Sequence, residues 1–144
     1  MSNPNILVVD DAMDMRIYLK TLVKGMGYEP VMVRDGTEGL AAVAEKPIAL
    51  ILLDIMMPGE GGIIMYRALR QNEKLKHIPV LIHSAVPERL FFHYMAMEAR
   101  SGHSLTPPDA YFEKPADPVR LKETIRSVMG GRDNHPTPEG PELE

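Results

Sequence analysis

Apolar residues along the chain gather into five short blocks, with longer stretches of mixed character between them. The first block, Ile6-Leu7-Val8-Val9, stops at Asp10-Asp11. Four aliphatic residues without alternation describe a strand covered on both faces. The second block is Val31-Met32-Val33. The third runs from Ile48 to Leu53 and ends at Asp54, and the fourth, Val80-Leu81-Ile82-His83, ends at Ser84. The fifth, Ala110-Tyr111-Phe112-Glu113, ends at Lys114. Between the first two blocks, Met15, Tyr18, Leu19, Leu22, Val23 and Met26 recur at helical spacing, with Arg16, Lys20 and Lys24 four apart on the polar side. Gly25 and Gly27 close that helix. Asp35 stands three residues before Glu38, a capping arrangement for a helix from Gly36 to about Glu45. Met57-Pro58-Gly59-Glu60-Gly61-Gly62 is punctuated as a loop, and a helix from Ile63 to about Gln71 follows it. Pro87 starts a helix reaching about Arg100. Pro118 opens the last helix, with Leu121, Ile125, Val128 and Met129 on its apolar face.

Strands that alternate with helices need parallel pairing through helical crossovers. The spacing therefore predicts an α/β fold, an open sheet of five parallel strands with five helices covering both faces. Residues 1–130 are expected to form one domain. From Gly130 onward there are three prolines, three glycines and only Leu143 as an aliphatic. A tail over 131–144 with so little to bury is expected to be disordered or a linker.

Composition narrows the function classes. Hydrophobic residues make up 44% and charged residues 25%, which suits a packed globular domain. The net charge is −4, but Arg132 against Asp133, Glu139, Glu142 and Glu144 puts −3 in the last fourteen residues. A body that is almost neutral offers no electrostatic footprint for nucleic acid or an anionic membrane. Without cysteine there is no disulfide, thiolate nucleophile or cysteine-ligated metal. The longest wholly apolar run, Ile48 to Leu53, is six residues, far below the ~20 that cross a bilayer. Met1 to Asn5 has no basic stretch leading into a long apolar segment, so no signal peptide and a cytoplasmic location are expected.

The strand ends carry the chemistry. In an open parallel sheet, ligands bind beyond the carboxyl ends of the strands. There the blocks deliver Asp10, Asp11, Asp54, Ser84 and Lys114 to one edge. Three carboxylates held close repel each other, and a hard divalent cation such as Mg²⁺ relieves that. The serine hydroxyl can donate to a phosphoryl oxygen, and the lysine ammonium can neutralise phosphoryl charge. An aspartate flanked by both cations is a credible nucleophile for phosphorus. The five histidines show no pair at helix-face ligand spacing, which argues against zinc. His83 reads as a hydrogen-bonded packing residue and the methionines mostly as core filler.

Val9-Asp10-Asp11, Leu53-Asp54, Met57-Pro58 with Gly62, Ser84-Ala85 and Lys114-Pro115, in that order, resemble the receiver domain of bacterial two-component response regulators. The resemblance covers about residues 5–129. It implies a flavodoxin-like sheet in the order 2-1-3-4-5. It further implies that Asp54 takes a phosphoryl group from a sensor histidine kinase or a histidine phosphotransfer protein. Asp11 would bind Mg²⁺ directly, Asp10 would hold a metal-bound water, and the backbone carbonyl of Met56 would be a further ligand. Ser84 would be the switch hydroxyl, Tyr111 the switch aromatic that turns inward on activation, and Lys114 the phosphate-contacting lysine before a cis proline bond. The positions matching Met56 and Val86 help govern hydrolysis in that family. Both are apolar here, so slow loss of the phosphoryl group is expected.

The chain departs from the pattern after its fourth helix, where Ser101 to Asp109 is longer than the family usually shows. Leu90, Phe91, Tyr94, Met95 and Met97 are expected to share a core-facing arc of that helix, with Phe92 opposite. Phe92 is then a candidate for a self-association or effector surface on the fourth and fifth helices. Two rival readings are an aspartate-nucleophile phosphatase of the haloacid dehalogenase type and an unphosphorylated receiver-like scaffold. The first needs an Asp-x-Asp motif, and Ala12 stands where its second aspartate belongs. The complete set of site residues argues against the second.

Overall fold

The computed structural model describes residues 3–56 and 61–133. Strands and helices alternate throughout as β1 (Asn5–Val9), α1 (Met13–Gly25), β2 (Glu29–Val33), α2 (Gly36–Glu45), β3 (Ile48–Leu53), α3 (Gly62–Gln71), β4 (Val80–Ser84), α4 (Glu88–Arg100), β5 (Ala110–Glu113) and α5 (Pro118–Asp133). The strands form one sheet in the order β2-β1-β3-β4-β5, and every pairing is parallel. The flavodoxin-like expectation holds.

Successive strand residues point to opposite faces, so each aliphatic block feeds two cores. Leu7, Val9, Ile51, Leu53, Val80 and Ile82 pack under α2, α3 and α4 with Met65, Tyr66, Leu69 and Phe91. Ile6, Val8, Leu50, Leu52 and Leu81 pack under α1 and α5 with Leu19, Val23, Leu121 and Ile125. Burial on both faces is why the strands show continuous runs rather than alternation.

Several boundaries shift. β2 begins at Glu29, two residues before the expected start, and includes Pro30, which an edge strand tolerates because one side of its backbone is unpaired. α1 closes as expected, with Gly27 at φ 94° in the left-handed region and its N–H on the Lys24 carbonyl at 3.0 Å. Asp35 caps α2 through the Glu38 N–H at 2.9 Å. α5 runs to Asp133, past the expected boundary at 130, because its packing by Leu121, Ile125 and Met129 outweighs the low helical propensity of two glycines. The expectation for the rest of the tail, and that for Met57 to Glu60, lies outside the described residues.

Two helix faces differ from their periodicity. Tyr18 is exposed and lines a groove between α1 and α5 rather than joining the core. On α4 only Phe91 and Met95 are buried, whereas Leu90 and Met97 are exposed. Phe92 is not isolated on the far side. Its ring centroid lies 5.3 Å from that of Phe91 and 6.3 Å from that of Tyr111. α4 meets the sheet near its β5 edge, so its buried face is narrower than that of a helix lying across the sheet's middle.

A glycine is required where α3 starts. A β-carbon on Gly62 would stand 2.1 Å from the Asp54 carbonyl oxygen and 2.5 Å from the Ile55 α-carbon. At Gly39 the obstacle is the end of the Met65 side chain, 2.6 Å away at sulfur, which can swing aside. Gly62→Ala should therefore cost roughly 1–3 kcal/mol and more than Gly39→Ala, because backbone cannot give way as a thioether can. Urea midpoints of the two variants check this order.

Candidate functional site

The five strand-end residues meet at the carboxyl edge of the sheet. Asp10 follows β1, Asp54 follows β3, Ser84 ends β4 and Lys114 follows β5. Backbone bonds continue the sheet to them. The Asp10 N–H reaches the Val33 carbonyl at 3.2 Å, the Asp54 N–H that of Val9 at 3.0 Å, and the Lys114 N–H that of Ser84 at 2.8 Å. The side chains of Asp10 and Asp54 are only 2% and 5% exposed, and that of Lys114 is 19% exposed.

Lys114 Nζ donates to Asp10 Oδ2 and to Asp54 Oδ2, both at 2.9 Å. The other oxygen of each carboxylate accepts a backbone N–H: Asp10 Oδ1 from Ala12 at 3.0 Å and Asp54 Oδ1 from Met56 at 2.9 Å. Each buried carboxylate thus has its own backbone donor and shares one ammonium with the other. Burial pulls the Lys114 pKa down, but the hydrogen bonds to Asp10 and Asp54 outweigh it and the net displacement is upward. The bond between Lys114 and Pro115 is cis.

Asp10, Asp11 and Asp54 can bring carboxylate oxygens within 4.8 Å of one another. Three carboxylates face one ammonium, so the cluster keeps an excess of two negative charges. An all-oxygen set with that excess fits a hard divalent cation, and exposed Asp11 lies on its open side. Zinc and softer ions fit poorly, since the cluster contains no histidine or sulfur ligand.

Ser84 is fully buried, and its Oγ accepts the Val86 N–H at 3.2 Å. The half-buried Tyr111 donates its hydroxyl to the Val86 carbonyl at 2.6 Å and packs on Phe91, with centroids 5.4 Å apart. In this structure the aromatic already lies over the β4–α4 connection. Met56 is exposed beside an apolar cavity of about 230 Å³, which Ile55, Val86, Leu90 and Phe91 also line.

One nearby residue escapes the sequence reading and a second departs from it in one respect. Arg16, three residues into α1, donates from Nη1 to the Asp10 carbonyl at 2.9 Å and braces the β1–α1 turn. Only a backbone acceptor marks that role, and the sequence does not display one. His83 is buried as expected, but its Nδ1 has no hydrogen-bond partner, which corrects the hydrogen-bonded reading. It sits across from Phe112 in β5, with Lys114, Asp10 and Asp54 near enough to act on its charge.

Comparison with known proteins agrees with this geometry. A family model described as "Response regulator receiver domain" matches residues 6–126. The polar-differentiation response regulator DivK of Brucella ovis is 32% identical over 130 residues, which cover 90% of this chain and 98% of DivK. The DNA-binding response regulator MtrA of Mycolicibacterium paratuberculosis is 31% identical over 91% of this chain and 53% of its own length. Among solved structures, the signal receiver domain of a signal transduction histidine kinase from Syntrophus aciditrophicus superposes with a TM-score of 0.78 at 23% identity. That match covers 94% of this chain and 97% of the other. The chemotaxis response regulator CheY4 of Vibrio cholerae gives 0.73 at 23% identity over 88% and 99%. At these identities the two structures speak for the fold alone.

His83 generates a pH prediction. Burial first, then the Lys114 ammonium, push its pKa below the usual 6.5, against weaker opposition from Asp10 and Asp54. The native state therefore holds the neutral imidazole. As pH falls below 6.5 the unfolded chain takes up the proton first, so stability present above that value is lost on acidification. Urea midpoints measured at pH 7 and pH 5 should fall less in His83→Leu than in the unaltered chain.

Proposed function

The chain belongs to the response regulator receiver family, and we propose that it accepts a phosphoryl group on Asp54 from the phosphohistidine of a sensor kinase or a histidine phosphotransfer protein. The observation that carries this reading is the double hydrogen bond from Lys114 to Asp10 and Asp54, with Asp11 at the open side. A carboxylate oxygen of Asp54 forms the new bond to phosphorus as the phosphorus–nitrogen bond breaks, and the leaving imidazole keeps the electron pair. Asp10, Asp11, Asp54 and the Met56 carbonyl would hold Mg²⁺, which supplies neutralising charge for the incoming phosphoryl oxygens. Lys114 trades its carboxylate partner for a phosphoryl oxygen, and the Ser84 hydroxyl donates to another. Backbone donation from Met56 to Asp54 Oδ1 holds the nucleophile's plane, so little reorientation precedes attack.

The role is that of a signalling switch whose chemistry is its own phosphotransfer and dephosphorylation. Residues 1–130 carry that role as one domain, with a cytoplasmic location. Among the described residues no helix is long and apolar enough to cross a membrane. Ser84 and Tyr111 meet at Val86, and Phe92 packs on Tyr111. The surface around Phe92 therefore reports the state of Asp54 to an effector or a second copy.

Incubation with Mg²⁺ and a small acyl phosphate should add one phosphoryl group to the unaltered chain and none to Asp54→Ala, as read by intact mass. Equal labelling of both would refute the assignment. Met56 and Val86 offer no side-chain donor or acceptor to an attacking water, so the acyl phosphate should decay slowly. Met56→Asn should speed that decay by roughly the tenfold or more that one positioned polar group provides. Phosphate release from purified phosphoprotein measures it.

A further inference from the structure

Among the described residues, the proposed chemistry leaves one buried charge without a role. Arg70 lies in the last turn of α3, and its side chain is 3% exposed. Its Nη1 donates to the carbonyls of Lys76 and Ile78, each at 3.0 Å. Its Nε donates to the Tyr66 hydroxyl oxygen at 3.3 Å. Its Nη2 donates to the Pro107 carbonyl at 3.2 Å and stands 3.5 Å from Asp109 Oδ1. A guanidinium tolerates such burial only when its donors are met. Here the acceptors come from α3, from the α3–β4 connection and from the end of the long segment after α4. Tyr66 grips the same segment, donating its hydroxyl to the Thr106 carbonyl. Leu105 packs against the core beside it.

That segment leads directly into β5. The Asp109 N–H donates to the Val80 carbonyl at 2.9 Å, and Asp109 Oδ1 accepts the Val80 N–H at 2.9 Å. β5 has four residues and pairs with β4 alone. A strand of four residues paired on one side has few ladder bonds to hold its register, and a slip of one residue sends every side chain to the opposite face. Tyr111 and Phe112 would exchange faces, and Lys114 would lose its reach to Asp10 and Asp54.

We propose that Arg70 is a positioning residue for the phosphoacceptor site. Through Asp109 and the Pro107 carbonyl it sets where β5 begins, and so where the Lys114 ammonium arrives. The extra residues after α4 end in this anchor. The proposal rests on the reading of Asp54 for its functional consequence and on β5 alone for its structural one.

The full-length chain carries the test, as Arg70→Met and Asp109→Asn. The second variant keeps the acceptor for Val80 and removes only the charge, so it serves even where the first folds poorly. Amide exchange at Phe112 and Lys114 should quicken roughly tenfold relative to amides of β1 and β3, since only local opening of β5 becomes easier. Acyl-phosphate labelling of Asp54 should slow by about tenfold, the order of loss expected when a catalytic cation is displaced. Mg²⁺ affinity should not fall, because the metal-facing carboxylates follow β1 and β3 and lose only a competing cation. Unchanged β5 exchange in both variants would overturn the proposal whatever the labelling shows. So would Mg²⁺ affinity falling in step with labelling, the sign of a general loosening. Equal labelling of Asp54→Ala and the unaltered chain would instead sink the phosphoacceptor reading and leave the exchange result standing.

Discussion

One ammonium group holds the working edge of this protein together. Lys114 Nζ meets two nearly buried carboxylates at equal distance, and those carboxylates follow different strands. Asp10 is 104 residues from Lys114 in sequence and Asp54 is 60. The sheet order requires the lysine to reach across β4, which lies between β3 and β5. Ser84 ends that intervening strand. A buried carboxylate left without a cation is costly, and removing one partner of such a pair typically destabilises by ~3–5 kcal/mol. The same arrangement is easily exchanged, because each carboxylate keeps a backbone N–H when the ammonium moves. Fixed donors preserve geometry while the movable charge follows whatever anion occupies the site.

Position at this edge is set from both ends of the sheet. At the carboxyl end, Gly62 lets α3 start against the backbone of Asp54, and Arg16 braces the turn after Asp10. At the opposite end, Arg70 holds the segment that launches β5. The three inner strands, β1, β3 and β4, have neighbours on both sides that define their register. β5 is the edge strand that carries a site residue, and it is tied by charge at each end.

Much of this architecture was legible in the chain itself. Aliphatic blocks covered on both faces identified the strands, and the polar residues that end them identified the edge where chemistry gathers. What escaped has common physical causes. Periodicity tells which way a side chain points on its own helix but not how far the neighbouring elements extend. That is why Leu90 and Met97 emerged exposed and Phe92 found ring partners in Phe91 and Tyr111. Arg70 looks like any surface cation, as arginine usually is, because three of its five partners are backbone carbonyls that a sequence does not display. The apolar run around His83 tells that it lies inside, but whether a buried ring nitrogen finds a partner depends on cross-strand neighbours such as Phe112.

Ser84 and Tyr111 are bound to opposite ends of one residue, and this gives the proposed switch a physical route. Ser84 Oγ accepts the Val86 N–H at 3.2 Å, and the Tyr111 hydroxyl donates to the Val86 carbonyl at 2.6 Å. A Ser84 hydroxyl drawn toward a phosphoryl group on Asp54 releases the Val86 N–H and draws the β4–α4 connection along. Tyr111 then either follows its acceptor or loses a hydrogen bond worth ~0.5–1.5 kcal/mol. Both responses are felt at Phe91 and Phe92, whose rings rest on Tyr111. Packed aromatic rings shift between discrete arrangements rather than deform smoothly, so a small displacement at Val86 becomes a change of surface at the start of α4. On the proposed reading, a charge event at Asp54 would be converted into packing within one turn of helix.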